Sequence, residues 1–98
     1  MHILIVEDER TLCDTIARSL RNLAYSVDCC NDGREALDLL DVEVFDLVVL
    51  DLNLPRIDGM TVLKELRKTD CETKVLILSA RGEVSDKVAG LDAGANDY

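Results

Sequence analysis

Tryptophan is missing from this 98-residue chain, and one Phe and two Tyr are its only aromatic rings. That scarcity excludes the stacking platforms on which single-strand nucleic-acid binders hold bases, and it implies an aliphatic core. Basic residues are also few: 11 Lys and Arg stand against 20 Asp and Glu, a formal net charge of −9. So acidic a surface repels phosphate backbones and anionic headgroups, which argues against direct binding to nucleic acid or membrane. No apolar run approaches the roughly 20 residues of a membrane span. The opening apolar residues give way at once to Glu7-Asp8-Glu9, leaving no room for a signal segment, so a cytoplasmic location is expected. A single Pro and five Gly exclude collagen-like or low-complexity sequence. The four cysteines, Cys13, Cys29, Cys30 and Cys71, form no C-x-x-C pair, and the one histidine, His2, sits at the chain's end. This argues against a zinc site and for reduced thiols in the core or at its boundary.

What is present is one domain's worth of globular sequence, residues 1–98, 48% hydrophobic and 32% charged. Three continuous aliphatic runs, Ile3 to Val6, Leu47 to Leu50 and Val75 to Leu78, suit strands buried on both faces of a parallel sheet. Ser26 to Cys30 reads as a weaker strand. Helical spacing relates Leu12, Ile16, Leu20 and Leu23, then Ala36, Leu37 and Leu40, then Val62, Leu63 and Leu66, and finally Val84, Val88 and Leu91. Asp32 with Glu35 fits a capping box, Asp58 can cap the helix through Met60 to Arg67, and Asn31-Asp32-Gly33 and Pro55 mark breaks. Strand and helix therefore alternate four times, which predicts an α/β, doubly wound parallel sheet whose ligands sit beyond the carboxyl ends of its strands.

Those ends carry Glu7-Asp8 after the first strand, Asp51 after the third and Ser79-Ala80 after the fourth. If the first and third strands are neighbours, three carboxylates share one edge and repel one another unless a cation neutralises them. A hard divalent ion such as Mg²⁺ accepts such a set. Solvated loop acids in an acid-rich chain are an equally good reading of the spacing. Asp51 could also attack phosphorus and form an aspartyl phosphate. Ser79 could donate to a phosphoryl oxygen, although a plain strand-end hydroxyl is the commoner case.

Four segments in order resemble the response-regulator receiver domains of two-component signalling. They are Ile3-Leu4-Ile5-Val6-Glu7-Asp8-Glu9, Asp46 to Pro55 followed by Asp58-Gly59, Leu78-Ser79-Ala80, and Gly90-Leu91-Asp92-Ala93-Gly94-Ala95-Asn96-Asp97-Tyr98. The ending resembles the subfamily joined to a winged-helix DNA-binding domain. The resemblance implies a flavodoxin-like receiver fold with strands in the order 2-1-3-4. It implies Asp51 as phosphoacceptor. Asp8, Asp51 and the Asn53 backbone carbonyl become Mg²⁺ ligands, with Glu7 a ligand through water. Ser79 becomes the switch hydroxyl, and Pro55 and Gly59 shape the loop over the site. The implied partners are a sensor histidine kinase and an output DNA-binding domain in the parent protein.

Receivers continue past the Asp-Tyr pair into a fifth strand with a Lys and a fifth helix, and this sequence stops at Tyr98. Read as a truncation, that removes the Lys that would pair with the phosphoryl group, and Lys64, Lys68, Lys74 and Lys87 offer no obvious substitute. Two consequences are expected. A phosphorylation-deficient interaction module becomes the rival function, ahead of a haloacid-dehalogenase-type phosphatase, which needs a second Asp where Asn53 stands; the leading function is not that of an enzyme. The fourth strand also becomes a bare edge, and Ile3, Ile5, Val48 or Leu50 become open to water, favouring a homo-oligomer formed by strand-four pairing or segment exchange.

Overall fold

The structure, a computed structural model, describes residues 1–70 and 72–78. Seven elements alternate along them: β1 (His2–Val6), α1 (Arg10–Asn22), β2 (Ser26–Cys30), α2 (Gly33–Val42), β3 (Leu47–Asp51), α3 (Gly59–Thr69) and β4 (Lys74–Leu78). Cys71, Ser79, the helix expected around Val84 to Leu91, and Tyr98 lie outside the described residues.

The strands form one parallel sheet in the order β2-β1-β3-β4, as expected from the resemblance. Alternation along β1 sends Leu4 and Val6 to one face and Ile3 and Ile5 to the other. On the first face Val48, Leu50, Val75 and Ile77 join them under α2 and α3, whose Ala36, Val62, Leu63 and Leu66 complete the larger core. On the second, Ile3, Ile5, Val27 and Val49 pack with Cys13 and Ala17 of α1. The expectation that Ile3, Ile5, Val48 or Leu50 would be open to water is therefore wrong, since none exceeds 1% exposure. Val48 and Leu50 lie beneath α2 and α3, and α1 covers Ile3 and Ile5. Leu78, at the end of β4, is 44% exposed, and among the described residues β4 pairs only with β3.

Helix α1 departs from its predicted face. Its fully buried residues are the small Cys13 and Ala17, while Leu12 is 43% exposed. Small side chains let the helix lie close against the sheet, and Ile16 and Leu20 flank that contact. Leu23 ends the helix instead of belonging to it. The amides of Ala24 and Tyr25 bond back to the carbonyls of Arg21 and Leu20 in a Schellman closure, with Ala24 at a φ of 70°. A left-handed Ala costs more than Gly would, so Ala24→Gly is expected to stabilise the fold by about 0.5–1 kcal/mol, measurable by urea denaturation. The other two helices start as predicted: Asp32 accepts from the Glu35 amide at 2.8 Å, and Asp58 from the Thr61 amide at 2.9 Å.

Candidate functional site

Parallel register places Val6 opposite Leu50, so the residues that follow, Glu7 and Asp51, leave the sheet side by side. Asp51 is the last residue of β3, paired with Leu78, so the strand runs one residue past the aliphatic run that ends at Leu50. Its neighbours are held by backbone. The Glu7 amide donates to the Cys30 carbonyl at 3.1 Å, continuing the β1–β2 ladder, and the Asn31 side-chain amide donates to the Glu7 carbonyl at 2.9 Å. One oxygen each from Glu7, Asp8 and Asp51 then lies within 4.8 Å of the others.

Three carboxylates this close cannot all be charged without cost. Burial, a hydrogen bond to the Asp51 carboxylate, and the charges of Asp51 and Asp8 together push the Glu7 carboxyl up to about 7. A proton on Glu7 and a bound cation are thus two ways to relieve the same repulsion. Every donor is a hard oxygen, which suits Mg²⁺ or Ca²⁺ and not a thiophilic ion. A carboxyl titrating higher in the fold than its ordinary 4.5 favours the folded state at low pH and loses that contribution as pH rises through about 7. Without divalent cation, melting temperature is therefore expected to fall between about pH 4.5 and 7 through this group. Glu7→Gln should remove that component, and saturating Mg²⁺ should offset it; thermal melts with chelator and with Mg²⁺ check both.

The loop after β3 orients the cluster. The Asn53 amide donates to Asp51 Oδ1 at 3.1 Å, limiting rotation of the carboxylate. Asn53 also lines, with Glu7 and Asp51, a cleft of about 430 Å³ whose apolar wall includes Ile16, Val49 and Leu78. Gly59 closes the loop by donating its amide to the Leu52 carbonyl at 3.1 Å. A Cβ on Gly59 would lie 2.2 Å from the Asp51 carbonyl oxygen, so only glycine allows α3 to start against the end of β3. The Pro55 carbonyl accepts from the amides of Ile57, at 2.8 Å, and Gly33, at 3.4 Å, which ties the loop to the start of α2.

Asn31 and Gly33 were not singled out in the sequence as site residues. Asn31-Asp32-Gly33 shows there only as a break, yet a Cβ on Gly33 would lie 1.9 Å from the Ile57 carbonyl oxygen. His2, at the chain's end, belongs to β1 and makes side-chain contacts to Asp28 and Val44. Of the expected site residues, the structure brings Glu7, Asp8, Asp51 and Asn53 together, sets Pro55 and Gly59 in the loop beside them, and leaves Ser79 outside the described residues.

A flavodoxin-like parallel sheet of order β2-β1-β3-β4 with an acidic pocket at the ends of β1 and β3 is the arrangement of a receiver domain. Residues 3–98 match the response regulator receiver domain family, and the chain belongs to it. It is 49% identical over all 98 residues to the response regulator MprA of Mycolicibacterium vanbaalenii, and spans 42% of that protein's length. The receiver domain of Francisella response regulator 1452 superposes with a TM-score of 0.94 at 33% identity, covering 99% of this chain and 80% of that one. A Burkholderia pseudomallei response regulator, solved with a phosphorylated aspartic acid, a calcium ion and citrate, gives 0.93 at 26% identity over 99% of this chain and 57% of that one. The family is one of signalling proteins. Among the described residues no helix is long and apolar enough to cross a membrane.

Proposed function

We propose that this chain accepts a phosphoryl group on Asp51 from a sensor histidine kinase, with Mg²⁺ in the acidic pocket, and passes the change to an output DNA-binding domain in a longer parent protein. The observation that carries this reading is the Asp51 carboxylate, oriented by the Asn53 amide and set within 4.8 Å of Glu7 and Asp8 oxygens. Asp8, Asp51 and the Asn53 carbonyl would hold the ion, and Glu7 would reach it through water. When bound, Mg²⁺ supplies positive charge that offsets the negative charge of the phosphoryl oxygens.

The chain's own part is nucleophilic. A carboxylate oxygen of Asp51 attacks phosphorus on the phosphohistidine; the new P–O bond forms as the P–N bond breaks, and the imidazole nitrogen leaves with the electron pair and takes a proton from water. Asn53 keeps the carboxylate in place, and the loop through Pro55 and Gly59 keeps Asn53 in place. Ser79, next in sequence after the Leu78 that pairs with Asp51, is assigned the hydroxyl that meets the new phosphoryl group. The resulting charge biases the surface the output domain reads. Incubation with a small acyl phosphate, followed by intact-mass detection, tests the reading. Mg²⁺-dependent incorporation of one phosphoryl group supports it. No incorporation with Mg²⁺ present would instead make the chain a phosphorylation-deficient interaction module.

A further inference from the structure

At the amino end of the sheet, opposite the acidic pocket, His2 Nε2 lies 2.9 Å from Asp28 Oδ2, and a Glu43 oxygen completes a group in which the three ligand atoms are within 4.8 Å of one another. The three residues come from three places in the chain. His2 and Asp28 are diagonal neighbours on β1 and β2, and Glu43 is the C-cap of α2.

The imidazole is fixed before any ligand arrives. Its Nδ1 donates to the Val44 carbonyl at 3.2 Å, and its ring packs on the buried Phe45 with centroids 4.3 Å apart. The His2 backbone is clamped on both sides, its amide donating to Asp46 Oδ2 at 2.7 Å and its carbonyl accepting from the Asp46 amide at 2.8 Å. With Nδ1 carrying its hydrogen toward a carbonyl, the Nε2 lone pair of a neutral ring faces a carboxylate, and that contact needs positive charge between or on the partners. A proton satisfies His2 and Asp28 and leaves Glu43 as a second anion beside them. A divalent cation satisfies all three.

We propose that His2, Asp28 and Glu43 form a second cation site, which takes an imidazole-preferring divalent ion of the zinc class. One nitrogen and two carboxylate oxygens are a zinc-type ligand set, and ligands at about 2.0–2.2 Å from one ion sit roughly 3–3.5 Å apart, so the 2.9 Å pair needs only a small opening. The Val44 carbonyl on Nδ1 is the outer partner that orients a metal-bound histidine. Asp28 and Glu43 are open to solvent on their outer sides, which leaves a fourth position for water. Five residue steps along β1 separate His2 from Glu7, about 16 Å at strand rise, so this site and the all-oxygen pocket are independent. The imidazole gives the first its preference for zinc over Mg²⁺. Bound there, the ion would tie the end of α2 to β1 and β2.

The test is titration of Zn²⁺ alone into the chain with the acidic pocket saturated by Mg²⁺, followed by calorimetry and by the ¹⁵N resonances of the His2 ring. Glu43→Gln changes an exposed side chain and leaves the fold intact; His2→Gln removes the nitrogen ligand. One saturable Zn²⁺ is expected, with shifts at His2, Asp28 and residues 43–45, and affinity about tenfold weaker or worse in each variant. Absence of saturable binding, equal affinity in all three proteins, or shifts centred on Cys13 and Cys29 would overturn the proposal. So would a loss confined to His2→Gln, because Glu43 would then not be a ligand.

Discussion

Asp51→Asn is expected to abolish phosphoryl incorporation while leaving the chain folded and, without metal, slightly more stable. An amide oxygen does not form an acyl phosphate, so the reaction is lost and not merely slowed. The same substitution removes one of three neighbouring negative charges, and the proton that burial and charge hold on Glu7 is then less favoured. Relief of such a contact is worth about 0.5–1 kcal/mol at a half-exposed site. Asp8→Asn provides the contrast. It leaves the nucleophile intact and removes a cation ligand, so incorporation should persist at a rate lower by on the order of a hundredfold, the usual loss when one preorganised electrostatic contact to a charged transition state is deleted. Intact-mass time courses separate the two outcomes. Equal loss in both variants would mean that Asp8 and Asp51 are not divided between cation ligand and nucleophile.

Gly59→Ala is expected to destabilise the fold by about 2–4 kcal/mol, a drop in melting temperature of roughly 10–25 °C for a domain of this size. The added Cβ would meet the Asp51 carbonyl oxygen at 2.2 Å and the Leu52 Cα at 2.7 Å. Both obstacles are backbone, so no side chain can swing aside. Relief requires α3 to retreat from the end of β3, which breaks the 3.1 Å bond from the Gly59 amide to the Leu52 carbonyl and lets Asp51 shift against Glu7. Stability and Mg²⁺ affinity should therefore fall together. Glycine serving only as an exposed turn residue would cost less than about 1 kcal/mol on the same substitution, and a loss that small, measured by urea denaturation, would contradict the packing described.

The parts of the fold legible in the sequence were those set by local pattern. Continuous aliphatic runs marked β1, β3 and β4, and Asp32 and Asp58 marked the starts of α2 and α3 because capping is a contact between residues three apart. Strand order came from family resemblance, since nothing in the runs themselves says that β1 lies between β2 and β3. Periodicity also misjudged α1. Spacing identifies an apolar stripe but not how near the helix lies to its sheet, and close approach buries Cys13 and Ala17 in preference to Leu12 and Leu23.

The candidate site divides in the same way. Glu7, Asp8 and Asp51 stood out because strand ends are where ligands bind in such sheets, but their mutual approach depends on the parallel register of Val6 with Leu50. Gly33 and Asn31 escaped notice because their partners, Ile57 and Glu7, lie 24 residues away in each case and no short motif encodes a contact across that distance. The partners that fix the His2 ring, Asp28, Val44 and Phe45, are likewise remote in sequence.

In the proposed function one carboxylate, that of Asp51, takes the phosphoryl group. After reaction with an acyl phosphate in Mg²⁺, reduction of the acyl phosphate with borohydride and fragmentation mass spectrometry locate the modified side chain. Modification is expected at Asp51 alone, and none when Mg²⁺ is chelated. Modification at Glu7, Asp8 or any other residue, or labelling that persists without the cation, would contradict that assignment.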